Sequence, residues 1–386
     1  MPTSLTNRER LMRIIQGGKD VDRPALKLWG LEPCQEAVNE QYASSAINHN
    51  AYEKVTKLAL ETTDIFGQLS IDVHSLCGRL DDQQIYEYDE PCDLPNWRQI
   101  RTVLKTPLGD LTSLRRESSI GEPGYKLEYF VKEPDDVRKL ISAPYEAIPF
   151  NPARFNAIDA AVGDRGITIL GLPYPGGLLY SACGSEMMAL LMMDEPELID
   201  EAISLYTQRV HGLLEDVIRQ GLKPVYCVIG PELLVPPLMN MDGFRRYAIE
   251  SNRKLYARMR ESGGYIWMHC HGRTAKLLED FIDVGVNVMN PLEPPPNGDV
   301  DMLEVARKFG GRIALEGNIE IQEIIQAEPE RLRALMEECV AAGAPTGRFI
   351  LCPSAGYKEY VFPSQQYIDN LMLYLEYGLE LVNRKW

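Results

Sequence analysis

YIWMHCHGRTAKLLEDFIDVGVNVMNPLEPPPNGDVDMLEVARKFGGRIALEGNIE, residues 265–320, alternates compact apolar runs with amphipathic stretches, and that alternation decides the fold class. The runs 265–270, 286–289 and 313–315 do not alternate apolar with polar, so both of their faces are buried, as in parallel strands covered by helices. Between them, 274–284 and 302–309 repeat their apolar residues at helical spacing. The unit is therefore strand–helix–strand–helix–strand.

Working outward, the same rhythm recurs. Further apolar runs stand at 25–29, 66–73, 167–172, 225–229 and 349–352, giving eight candidate strands. Helical patterns fill 6–15, 195–220, 242–262, 329–342 and 364–384. Eight β/α units point to a closed (β/α)8 TIM-type barrel rather than an open doubly wound sheet. The 386 residues would allow about two to three domains at roughly 150 residues each, but the strand count assigns residues 1–386 to one barrel domain. One stretch breaks the pattern: residues 76–131 are rich in Asp, Gln, Tyr, Pro and Gly. Within it TPLGDLTSLRR (106–116) reads as a β-hairpin turning at Pro107–Gly109, so an antiparallel β excursion is expected after the second barrel strand.

Charge and cysteine usage narrow the function classes. Lys and Arg number 40 against 56 Asp and Glu, a net charge of −16, which disfavours nucleic acid and anionic membrane surfaces as partners. No stretch approaches the roughly 18–20 apolar residues of a membrane-spanning helix, and MPTSLTNRERLMRIIQGG at the start lacks the apolar core of a secretory signal. The eight cysteines are scattered with no C-x-x-C pair, as expected of reduced thiols in a cytoplasmic enzyme. Nucleotide and serine-hydrolase fingerprints are missing.

In a β/α barrel the functional groups gather where the strands end. MHCHG (268–272) is the sharpest such signal. Side chains alternate along a strand, so His269 and His271 share a face while Cys270 points into the helix layer as a packed thiol. Such a pair is either a metal clamp or two hydrogen-bonded barrel histidines, and Cys352 at the end of the last strand favours the clamp, with zinc as the metal. Glu232 stands ready as a further ligand or as the group that orients an imidazole. Asp72, Glu232 and Glu316 are the catalytic candidates, with Asp72 and His74 sharing a face in IDVHS (71–75). His74, Glu293, Asn318 and Tyr357 are the substrate-binding candidates, though Glu293 before Pro294–Pro296 equally fits a stiff loop and Tyr357 simple packing.

Taken together, NRERLMRIIQGGKDVDRP (7–24), TPLGDLTS (106–113), KEPDDVRKL (132–140), VNVMNPLEPPPNGDVDM (286–302), ALEGNIE (314–320) and ILCPSAG (350–356) resemble the uroporphyrinogen decarboxylase superfamily over nearly the whole chain. The closer similarity is to its zinc-dependent methyltransferase branch, which works with corrinoid proteins. That branch carries H-x-C at one strand end and a cysteine near the last strand; here His269 and Cys352 match, and His271 replaces the usual cysteine. The decarboxylase branch implies an N-terminal arginine-rich motif and an aspartate. Asp72 matches the aspartate, but ALKLWGLEPC (25–34) lacks the arginines. The resemblance thus implies a zinc site on His269, His271 and Cys352, a corrinoid carried by a partner protein, a small O- or S-methyl substrate, and a homodimer. Tetrapyrrole decarboxylation and non-catalytic binding of a tetrapyrrole or corrinoid protein are the alternatives.

Overall fold

The eight expected apolar runs become strands of one parallel sheet. The computed structural model describes residues 5–31, 49–71, 78, 80–81, 83–358, 360 and 362–386. The barrel strands are β1 (Ala25–Leu26), β2 (Ile65–Ser70), β7 (Gly166–Leu172), β8 (Val225–Ile229), β9 (Tyr265–His269), β10 (Val288–Asn290), β11 (Ala314–Ile319) and β12 (Phe349–Pro353). Between the second and third of these lie β3 (Ile85–Glu90), β4 (Trp97–Leu104), β5 (Leu111–Ser118) and β6 (Tyr125–Glu128), which form a separate antiparallel sheet in the order 3-4-5-6. This is the expected excursion, with the β4–β5 turn at Thr106–Gly109 as the sequence chemistry predicts. Ion pairs of Arg101 with Glu90 and Glu128, and of Arg115 with Glu87, tie its strands across. Leu104 and Leu111 join the same apolar core as the barrel's outer faces.

The parallel strands run in the order 1-12-11-10-9-8-7-2, leaving β1 and β2 to meet at the seam. Asp64 makes that closure. Its N–H donates to the Leu26 carbonyl at 2.7 Å, and its carboxylate accepts the Leu26 N–H at 2.9 Å. The same fully buried carboxylate takes Arg10 at 2.8 Å and Arg23 at 2.9 Å. One acid therefore satisfies backbone donors and balances two guanidinium groups that burial would otherwise penalise.

Helix Asn7–Gln16 is fixed by a capping box, with Thr6 accepting from Glu9 N–H and Glu9 accepting from Thr6 N–H. Its Leu11, Ile14 and Ile15 plug the N-terminal end of the barrel. There they meet a layer of inward residues that includes Ala25, Phe66, Ile169, Val225, Trp267, Val288, Ala314 and Ile350. Because inward positions recur every second residue, the next layer toward the C-terminal end contains Lys27, His269, Asn290, Glu316 and Cys352. The floor is dry and the layer above it is polar.

Several helices differ from their sequence expectation. Helix Pro175–Asp194 carries no helical stripe that stands out from the sequence, because it is apolar nearly all round and bends at Gly184, where φ is 71°. The stretch expected at 242–262 is broken into a short helix, a widened turn at Arg245–Ile249 and a final helix Arg253–Glu261. The helix expected at 274–284 is only Leu278–Asp283. No helix among the described residues is long and apolar enough to cross a membrane. The described cysteines at 92, 183, 227, 270, 339 and 352 are all free thiols, and Cys34 and Cys77 lie outside the described residues.

Replacing Asp64 with Ala strands two arginines and a strand N–H at the seam. A loss of about 3–5 kcal/mol is expected, read as a lowered denaturant midpoint by circular dichroism against wild type.

Candidate functional site

Lys27 is the first residue that β1 carries past the apolar floor, and it is almost completely buried. Its Nζ donates to Glu316 Oε1 at 2.6 Å and sits 3.9–4.5 Å from the ring centroids of Phe66, Trp29 and Trp267. The ammonium is thus held by one carboxylate and three aromatic faces. Glu316, fully buried on β11, also accepts Trp267 Nε1–H at 2.7 Å and Asn290 Nδ2–H at 2.8 Å. Its two oxygens receive three donors from three different strands.

This arrangement sets the tautomer of His269. Asn290 must turn its amide NH2 toward Glu316, so its Oδ1 faces His269 and accepts from Nδ1–H at 2.6 Å. His269 is therefore neutral with an Nε2 lone pair. Burial pushes its pKa down to about 4, with the neighbouring His271 working in the same direction. Trp29 stacks on both Trp267 and His269, which holds the imidazole plane nearly parallel to the indoles.

His271, just beyond the end of β9, is half-exposed and anchored differently. Its Nδ1–H donates to Glu293 Oε1 at 2.8 Å, while Glu293 Oε2 accepts Gly272 N–H at 2.6 Å. Burial opposes its charged form, but the Glu293 hydrogen bond and the charges of Glu293, Glu232 and Glu320 outweigh it and raise its pKa. The two imidazole rings stand perpendicular with centroids 4.6 Å apart. Both have Nδ1 committed, which leaves Nε2 on each as the free face.

Other predicted residues separate into groups. Glu232 lies in the turn Pro231–Leu234 after β8, with burial raising its carboxyl pKa. Glu316, a catalytic candidate from the sequence, is enclosed with both oxygens taken, and it positions Asn290 and Lys27. Tyr357 is enclosed likewise. Fully buried, it packs edge-on to Tyr52 and shares a hydrogen bond with Thr56 in the surrounding helices. Asn318 is half-buried and takes its backbone N–H to Cys339 Sγ on helix Pro329–Gly343, behind the barrel wall. Asp72 and His74 lie outside the described residues.

The expected metal set is only half built. Two imidazoles with anchored Nδ1–H and free Nε2 suit a metal ion. Among the described residues, however, no three His, Cys, Asp or Glu side chains are gathered so as to hold one. Cys352 is fully enclosed on β12, where burial first and the charge of Glu316 second keep its thiol protonated well above the usual range. The set His269, His271 and Cys352 is therefore not assembled around a common point among the described residues.

Sequence reasoning missed Lys27, Trp29, Trp267, Asn290 and Glu320. The signal for the first three was present as period two. Trp267 precedes His269 by two residues, and Lys27 and Trp29 flank the same inward face of β1. Asn290 is revealed only by register, since it pairs with His269 across β9 and β10.

Comparisons agree with this architecture. Residues 124–366 match the family described as Uroporphyrinogen decarboxylase (URO-D). In structure the chain is similar to a methyltransferase from Methanosarcina mazei, with a TM-score of 0.58 and 13% identity over 96% of this chain and 98% of that one. A D-psicose 3-epimerase crystallised in the presence of D-fructose aligns over 61% of this chain and 86% of its own at a TM-score of 0.37 and 10% identity. No curated protein matches the sequence.

Glu316→Gln keeps the shape but leaves Lys27 charged in a dry interior. It is expected to cost about 3 kcal/mol, and the double variant Lys27→Met/Glu316→Gln to regain most of that loss. Equilibrium unfolding of the two variants and of the single Lys27→Met checks the coupling, with Trp29 and Trp267 as the fluorescent reporters.

Proposed function

Because the chain belongs to the uroporphyrinogen decarboxylase family, we propose that it is a methyltransferase moving a methyl group between a small O- or S-methyl substrate and the corrinoid of a partner protein. The observation that carries this reading is the chemistry of the barrel mouth. It presents two anchored imidazoles and the carboxyls of Glu232, Glu293 and Glu320, and its lysine is already neutralised by Glu316. A decarboxylase must hold the carboxylates of a tetrapyrrole with cations. Among the described residues the buried arginines, Arg10 and Arg348, are instead at the opposite end, bonded to Asp22, Asp64 and the carbonyls of Ile14 and Ile15. Around His271 a polycarboxylate would meet the carboxyls of Glu232, Glu293 and Glu320. The fold likeness to a methyltransferase is consistent with the reading.

The roles follow from the bonds. Trp29, half-buried and stacked on His269 and on the enclosed Trp267, offers the indole against which a small methylated compound packs. His269, fixed as a neutral acceptor, orients a donor group of the substrate through Nε2. His271, backed by Glu293, holds a proton that can pass from Nε2 to the leaving atom as the methyl–heteroatom bond breaks. The methyl acceptor approaches from the open C-terminal end, where barrel enzymes receive their substrates.

The test is single-turnover transfer. The full-length protein is mixed with a reduced corrinoid protein and a panel of methoxylated aromatics, methanol and methyl thioethers, while methyl-corrinoid absorbance is followed. Transfer from at least one donor is expected, with His271→Ala lowering its rate by about 10²-fold or more. Conversion of uroporphyrinogen to coproporphyrinogen at enzymatic rates, without methyl transfer, would refute the proposal.

A further inference from the structure

The two imidazoles at the end of β9 make opposite demands on a substrate. His269 donates Nδ1–H to Asn290 Oδ1 at 2.6 Å, and the Asn290 amide cannot turn because its Nδ2 serves Glu316 at 2.8 Å. Nε2 of His269 is thereby fixed as a hydrogen-bond acceptor. His271 bonds Glu293 through Nδ1 at 2.8 Å, and as the acid of the proposed transfer it offers a proton from Nε2. Both anchors belong to β10 and the segment just after it, so both rings turn Nε2 away from that side of the barrel. Their centroids are 4.6 Å apart. One acceptor and one donor therefore stand close enough to be met by neighbouring atoms of a single small molecule.

Trp29 adds a flat wall. It is half-buried, and its plane lies within 6° of His269 at a centroid distance of 5.3 Å. A planar ring packed on that indole keeps adjacent substituents in one plane, with no chain torsion to freeze between them. Methanol has a single oxygen for two imidazoles. A simple methyl thioether brings no O–H or N–H, and would cover His269, which is 7% exposed, with its acceptor unpaired.

We propose that the substrate is an aromatic methyl ether with a free hydroxyl on the neighbouring ring carbon, a 2-methoxyphenol. This rests on the methyltransferase reading and narrows its substrate class. The hydroxyl donates to His269 Nε2, the ether oxygen faces His271 Nε2, and the ring packs on Trp29. In the transfer the methyl carbon takes an electron pair from the reduced corrinoid as its bond to oxygen breaks. The bonding pair stays on that oxygen, which receives the His271 proton, and the product is a 1,2-dihydroxyarene. The neutral imidazole left behind regains its proton from water at the open mouth.

Binding to the full-length protein is followed by titration calorimetry with no corrinoid present. The probes are 2-methoxyphenol and three relatives: 1,2-dimethoxybenzene, which lacks the donor; 2-ethylphenol, which lacks the ether oxygen; and 2-methoxyethanol, which lacks the ring. 2-Methoxyphenol is expected to bind about 10-fold or more tightly than each of them. His269→Phe, which keeps a stacking ring, is expected to abolish the preference over 1,2-dimethoxybenzene. His271→Phe, at a half-exposed position, is expected to abolish the preference over 2-ethylphenol, and it serves if the first variant does not fold. Equal binding of 2-methoxyphenol and any relative to wild type, or preferences unchanged in a folded variant, overturns the proposal. Methyl transfer is scored separately. Selective binding without transfer from any donor leaves the 2-methoxyphenol seat standing and removes the methyltransferase reading. Transfer from methanol or a thioether without that selectivity does the reverse.

Discussion

The Glu316 carboxylate is the constraint on which the site depends. Three donors converge on it: the Lys27 ammonium from β1, the Trp267 indole from β9 and the Asn290 amide from β10. Burying a carboxylate and an ammonium separately would be prohibitive, whereas burying them in contact, with the remaining lone pairs occupied, is tolerable. The exchange also does positional work. It turns the Asn290 amide, and the amide in turn decides which nitrogen of His269 carries the proton. An enclosed residue thereby sets the state of one that faces the mouth.

Such a network depends on strand order. Lys27 and Glu316 are 289 residues apart in sequence and meet because β1 pairs with β12 and β12 with β11. The seam on the other side of β1 depends on Asp64, which bonds the Leu26 backbone in both directions. Stability at the seam and geometry at the site are therefore coupled through a strand only two residues long. The acidic mouth follows the same logic in reverse. Glu232 and Glu320 lie where strands end, and their burial disfavours the charged form.

Much of the fold was legible in local pattern. Non-alternating apolar runs separated by helical stripes marked all eight barrel strands, and Val225–Ile229 and Met302–Phe309 agree to the residue. The antiparallel excursion showed itself through its turn chemistry at Thr106–Gly109. Helix Pro175–Asp194 was not legible, because its exposed face itself carries Leu190 and Met193 and the helix bends at Gly184, so no polar face gives it a period. At the site, period two on a strand correctly paired His269 with His271 and set Cys270 apart in the core. Glu316 and Tyr357, expected at the substrate, are both enclosed in the structure. A polar residue at a strand end is compatible with facing a substrate or with serving a neighbouring side chain, and sequence does not distinguish them.

The sequence by itself determined the class of fold, the position of the excursion, the family and the strand ends from which functional groups arise, since each depends on periodicity or on short motifs that act within a few residues. Only the tertiary structure decided which of those groups meet. It joined Lys27 to Glu316, directed Asn290 to His269, gave Glu293 to His271 and left Cys352 enclosed beside an acid rather than beside the two imidazoles. Those pairings depend on strand register and barrel closure, and a local pattern carries no information about which residue stands opposite on the next strand.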